Sequence, residues 1–179
     1  LLEPRPPHAQ KMDRLYRRQR HVYDATRKYY LLGRDRLIAG PDIPDGGRVL
    51  EIGCGTGRNL VLAARRNPQG LFYGIDISRQ MLLSAEAAAR AAASARVFTA
   101  PGDAETHDAA AGFALAGFER IFFSYCLSMI PGWRAALQTA MGQLAPGGSL
   151  HIVDFGQMDS WPRLARTALH AWLDRFHVT

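Results

Sequence analysis

The stretch Glu51-Ile52-Gly53-Cys54-Gly55-Thr56-Gly57 sets three glycines at alternate positions, with a carboxylate two residues before the first. Glycines in a loop let the backbone turn tightly and let a ligand come close to it. The chemistry such a loop serves is therefore binding, against exposed main chain. A dinucleotide fingerprint would run G-x-G-x-x-G with an acid about 20 residues on, and here position 58 is Arg. The glycine spacing argues against that ligand. No His, Cys and carboxylate group has metal-ligand spacing, so no metal site is expected. Cys54 and Cys126 read as small loop and core residues rather than nucleophiles.

Such a loop needs a strand to deliver it and a helix to carry the chain away. Arg48–Gly53 is a short apolar run entering the loop, and Thr56–Arg66 reads as a helix stopped by Asn67-Pro68. The alternation then repeats. Leu71–Asp76 is a second strand, and Ser78 can N-cap a helix to about Ala93. Arg96–Ala100 is a third strand, with a weak helix within 105–117. Arg120–Tyr125 is a fourth strand. Trp133–Leu144 is a helix, and Pro146-Gly147-Gly148 turns it into a fifth strand, Ser149–Phe155. Asp159 or Ser160 caps a last helix to about Phe176. Strand and helix alternating five times predict a parallel sheet with helices on both faces. Ligands on such sheets bind beyond the carboxyl ends of the strands, at the switch point. The residues that matter are then Gly53, Asp76, Asp103, Ser124 and Asp154.

Glu51-Ile-Gly-Cys-Gly-Thr-Gly-Arg-Asn59 resembles the E/D-x-G-x-G-x-G signature of class I S-adenosylmethionine-dependent methyltransferases. The resemblance implies a Rossmann-like sheet of order 3-2-1-4-5 and S-adenosylmethionine as cofactor. That molecule offers an ammonium, a sulfonium, a ribose diol and an adenine amino group, which carboxylates and carbonyls suit. Asp76 would accept both ribose hydroxyls, and Asp103, beside Ala104, the adenine amino proton. Ile77 and Met81 would sandwich the adenine. Glu51 would orient the loop or hold the methionine ammonium through water, as would the Ser124 carbonyl. Gly53, Cys54, Gly55, Thr56, Gly57 and Asn59 complete the expected cofactor contacts. The family ends in an antiparallel hairpin of strands six and seven. Only Phe176–Thr179 is left at the end of the last expected helix, so that hairpin is expected to be missing from this chain.

What accepts the methyl group is a separate question. Strand four ends Ser124-Tyr125-Cys126-Leu127, without the Asn/Asp-Pro-Pro-aromatic of adenine and glutamine amino methyltransferases. No Pro-Cys stands there for cytosine C5 chemistry, and no lysine-centred tetrad for ribose methylation. A lipid or small-molecule acceptor is expected, with nucleic acid disfavoured. The net charge of +6 is concentrated: between Lys11 and Arg36 nine basic residues face three acids. Such a segment suits an anionic membrane, nucleic acid or an acidic partner. It reads as a helical lid, giving an arm-and-lid unit over 1–40 and a cofactor-binding unit over 41–179. Tyr16, Tyr23 and Tyr30 stand seven apart, and seven residues of helix drift only about 20°, so they share a face. Tyr16–Ile38 is similar to the same segment of the betaine-lipid methyltransferases, which trimethylate diacylglyceryl-homoserine, with phosphatidylethanolamine N-methyltransferases as relatives. The resemblance implies a lipid head-group amine met at an anionic membrane surface. Tyr23 and Tyr30 would lid the cofactor, with Tyr23 also touching it, and Tyr23, Tyr30, Tyr125 or Asp154 would relay the amine's proton. Methyltransferases of a quinone, a soluble small molecule or RNA are the alternatives.

Composition bounds these readings. A chain of 179 residues is about one domain. Its 47% hydrophobic and 21% charged content excludes a disordered chain. No apolar run approaches the roughly 20 residues of a membrane span. Leu1–Gln10 is Pro-rich and polar, unlike a secretory signal. Two cysteines make no disulfide framework. A reducing, cytoplasmic setting with peripheral membrane contact is expected.

Overall fold

The computed structural model describes residues 37–38 and 43–154. Five strands form one parallel sheet: β1 (Arg48–Ile52), β2 (Leu71–Asp76), β3 (Val97–Pro101), β4 (Phe118–Ser124) and β5 (Leu144–Val153). The helices between them are α1 (Arg58–Arg66), α2 (Arg79–Ala91), α3 (Ala109–Gly112) and α4 (Trp133–Gly142), with a 3-10 turn at Leu127–Met129. The order is β3-β2-β1-β4-β5, as the resemblance to class I methyltransferases implies. The order reverses between β1 and β4, which makes that crevice the switch point.

Strand side chains alternate between faces, and this sorts the core and the polar groups together. Leu50, Ile52, Tyr73, Ile75, Ile121 and Phe123 pack on one face with α3 and α4. Val49, Phe72 and Phe122 pack on the other with Leu60, Ala63 and Ala64 of α1, and with Ile38. Phe72, Phe123, Leu50 and Leu60 are fully buried, and each such side chain stabilises the fold by about 1.5–3 kcal/mol. By the same alternation Glu51, Asp76 and Ser124 fall on the α1 face, at the carboxyl ends of three adjoining strands.

Ser78 caps α2 as expected, its hydroxyl accepting from the Met81 N–H. Most boundaries fall within about two residues of the sequence reading, and two elements depart further. β5 begins at Leu144, not Ser149, because Leu144 already pairs with Phe118. Pro146-Gly147-Gly148 therefore lies inside the strand as a register shift, where Phe118 and Arg120 keep pairing on either side. The expected helix over 105–117 shrinks to the single turn of α3. Residues before it form a tight turn on the Asp103 carbonyl, which accepts from Thr106 N and His107 N. Asp108 and the buried Gln143 side chain then cap α3, Gln143 Oε1 accepting from Ala109 N and Ala110 N at 2.8 and 3.1 Å. The expected strand at Phe155, the helix over 159–176 and, but for Leu37 and Ile38, the arm and lid over 1–40 lie outside the described residues.

Candidate active site

β1 hands the chain to the glycine loop at Gly53, whose φ is +69°. The Gly53 and Cys54 N–H groups both donate to the Ile75 carbonyl, at 2.9 and 3.0 Å, which fastens the loop to β2. Gly57 has φ +74°, and a Cβ there would lie 2.8 Å from Ala85 Cβ of α2. Only glycine meets both demands. Asp76, 9% exposed, completes the cradle. Its Oδ2 accepts from Gly55 N at 2.8 Å and its Oδ1 from Ser78 N at 2.8 Å. A carboxylate carries about four acceptor sites, which suits it to a ligand that brings hydroxyls.

Beside this loop lies a buried polar group. Glu51 and Asn59 are 1% and 2% exposed. Asn59 Nδ2 donates to Glu51 Oε1 at 2.6 Å, joining α1 to β1. Asn59 Oδ1 and the Ser124 hydroxyl are buried without a hydrogen-bond partner. Leaving a buried acceptor unmet costs about 1–3 kcal/mol, so these two atoms fit a ligand that brings N–H or O–H donors. Asp103 follows β3 with its Oδ1 accepting from Glu105 N at 3.0 Å. Ile77, Thr56 and Ala104 are half-buried, Ala104 against the core. Met81 is buried in the first turn of α2 and Cys54 is buried in the α1-side core.

At the end of β4 the chain bends sharply. Tyr125, buried, has φ +54°, the left-handed region that non-glycine residues rarely enter. The bend brings Cys126 against the glycine loop: a Cβ on Gly53 would meet Cys126 Cβ and Sγ at 2.9 Å. Cys126 Sγ donates to the Ile52 carbonyl at 3.1 Å. Two residues on, Ser128 meets Asp154 just past β5. Ser128 N donates to Asp154 Oδ2 at 3.0 Å and Ser128 Oγ to Asp154 Oδ1 at 2.9 Å. Ser128 carried no signal in the sequence. Tyr23 and Tyr30 lie outside the described residues. Among those residues no group of three or more His, Cys, Asp or Glu could hold a metal ion.

Residues 16–178 match the family described as methyltransferase domain. The chain belongs to that methyltransferase family. Over 150 residues it is 35% identical to the trans-aconitate 2-methyltransferase of Streptomyces avermitilis, covering 81% of this chain and 54% of that protein. It is 33% identical over 120 residues to the aklanonic acid methyltransferase of Streptomyces sp. strain C5, covering 66% and 52%. The chain spans about half the length of these curated relatives. A methyltransferase structure from Thiobacillus denitrificans, in complex with S-adenosylhomocysteine, superposes with a TM-score of 0.61 at 22% identity, over 83% of this chain and 61% of that one. The fold is the same Rossmann-like methyltransferase sheet. The family and the donor-hungry atoms beside the glycine loop agree on S-adenosylmethionine as the methyltransferase's cofactor, with Asp76, Glu51, Asn59 and Ser124 as the groups that fit it.

The methyltransferase's two cysteines are not nucleophiles in this setting. Burial pushes both thiols well above the usual range, and Asp76 and Glu51 add to the effect at each. A thiol whose folded pKa is raised gives stability that is present below its unfolded value, 9.0, and lost as pH rises beyond it. While the folded state keeps a proton the unfolded state has released, the loss is about 1.4 kcal/mol per pH unit for each thiol. The urea midpoint should fall between about pH 8.5 and 10. Replacing both cysteines by Ala should flatten that fall. An unchanged slope in the double variant would contradict the burial of the thiols.

Proposed function

We propose that the protein methylates an amine, and that the amine is a lipid head group met at an anionic membrane surface. The observation that carries the amine is the acidic carboxyl edge of the sheet, where Glu51, Asp76, Asp103 and Asp154 end or follow four strands. Such an edge attracts a cationic acceptor and tolerates a cationic product. The lipid part is supported by the nine basic and three acidic residues of positions 11–36 and by the likeness of that segment to the betaine-lipid methyltransferases. Diacylglyceryl-homoserine is the acceptor this reading names, with phosphatidylethanolamine its near alternative. In the reading, Tyr23 and Tyr30 lid the cofactor, and Tyr125 and Asp154 stand nearest the reacting amine. Each Lys or Arg near an anionic surface is worth about 1 kcal/mol, so six net charges give an upper bound of roughly 6 kcal/mol, weakened by salt. That suffices for reversible docking. No helix among the described residues is long and apolar enough to cross a membrane.

A second reading is favoured by the relatives. Two are named for acids, trans-aconitate and aklanonic acid, and a third, 35% identical over 89 residues, for demethylmenaquinone. A small acidic acceptor would also suit the basic segment. Radiolabelled methyl transfer from S-adenosylmethionine into lipid extract, trans-aconitate, quinone and RNA separates the readings. Label in the lipid fraction is the expected result, and label confined to trans-aconitate or another soluble acid would overturn the lipid proposal. Replacing Arg17, Arg18, Arg20 and Lys28 by Gln should then cut turnover on anionic liposomes at least tenfold, on the order of one charge's worth or more, while S-adenosylhomocysteine affinity stays unchanged. Equal turnover by this variant at physiological salt would reduce the basic segment to a solvated face.

A further inference from the structure

The left-handed bend at Tyr125 is a local cost that the strand itself does not need. Non-glycine residues held there pay on the order of 1 kcal/mol, and such strain gathers at functional sites. Its consequence is positional. It lays Cys126 against Gly53 of the cofactor loop and carries Ser128 across to Asp154 beyond β5. Both Asp154 oxygens accept from Ser128, one from its N–H and one from its hydroxyl. Both residues are half-buried, and the buried, unpartnered Ser124 hydroxyl ends the same strand. A hydroxyl that donates to a carboxylate keeps its lone pairs for a second donor. We propose that Ser128 and Asp154 form a proton-accepting pair for the methyl acceptor, with Ser128 Oγ receiving the proton and Asp154 holding the one Ser128 gives up.

The pair deepens the amine reading and rests on the cofactor lying at this edge. When bound, S-adenosylmethionine supplies a methyl group on sulfonium, whose carbon–sulfur bond breaks with its electrons kept by sulfur as the acceptor's lone pair forms the new bond. The acceptor's proton passes to Ser128 Oγ, the Ser128 proton moves to Asp154 Oδ1, and water later takes it. A carboxylate acceptor has no proton to give and would meet Asp154 with like charge. The pair therefore selects a nucleophile that carries a proton, an amine or a hydroxyl.

Sinefungin tests this without an identified acceptor, because it carries an amine in place of the methylsulfonium. Calorimetry should compare it with S-adenosylhomocysteine on the whole chain and on Ser128→Ala, Ser128→Thr and Asp154→Asn. Wild type should favour sinefungin. Ser128→Ala and Asp154→Asn should each lower the sinefungin-to-homocysteine affinity ratio about tenfold, the size of one hydrogen bond to a charged group, with S-adenosylhomocysteine affinity unchanged. Ser128→Thr, which keeps the hydroxyl, should keep the ratio. An unchanged ratio in all variants, or a fall of both ligands together, would make the pair a structural latch and overturn the proposal. If wild type binds neither ligand, the cofactor placement fails, and the pair's role fails with it.

Discussion

Asp76→Ala is expected to weaken S-adenosylhomocysteine binding more than a hundredfold. Two charge-assisted hydrogen bonds to ribose hydroxyls are lost, on the order of 3 kcal/mol together. The structure adds a second cost. The same carboxylate holds Gly55 N and Ser78 N, so its removal also frees the loop that should cradle the ligand and the entry to α2. Asp76→Asn separates the two. Its amide oxygen can still accept from one N–H, but its NH2 faces the other donor. It should bind more weakly than wild type and melt nearer to it than Asp76→Ala does. Calorimetry and thermal melts on both variants check this. Unaltered affinity in Asp76→Ala would remove Asp76 from the ribose site.

Gly57→Ala is the second large effect. The added Cβ would sit at φ +74°, and 2.8 and 2.9 Å from Ala85 Cβ and Cα. The Cα belongs to backbone, so α1 and α2 must move apart. Strain of about 1–2 kcal/mol and overpacking of about 1–3 kcal/mol predict a loss of roughly 2–5 kcal/mol, a large part of a typical domain's stability. Gly55→Ala is the control. It has φ +56° but nothing within 4 Å of its Cβ, so it should pay the strain alone. Equal urea midpoints for the two variants would show that the contact with α2 does not matter.

The parallel strands and their acidic ends were readable from sequence because each rests on a local pattern, while the strand order followed from the likeness to class I methyltransferases. Apolar runs of five or six residues alternate with helical stretches, and the glycine loop fixes which edge is the ligand edge. Period-two alternation orders side chains within each strand, but only the register of β1 with β2 and β4 puts Glu51, Asp76 and Ser124 on one face. The bulge in β5 was not readable. Pro146-Gly147-Gly148 has the chemistry of a turn, and only pairing of Leu144 with Phe118 makes it part of a strand. The shortness of α3 depends on Gln143, more than thirty residues away in sequence, capping it. Ser128 was invisible for the same reason. A lone serine after a strand means nothing until the bend at Tyr125 and the neighbouring end of β5 bring Asp154 to it. Met81 and Cys54 were legible as positions but not as buried side chains.

The measurement closest to the centre of the account is a calorimetric titration of the wild-type chain with S-adenosylhomocysteine and, separately, with NAD. The glycine spacing, the acid at Asp76 and the unmet acceptors at Asn59 and Ser124 predict saturable one-to-one binding of S-adenosylhomocysteine and none of NAD. Binding of NAD with no binding of S-adenosylhomocysteine would contradict the assignment of this edge to S-adenosylmethionine.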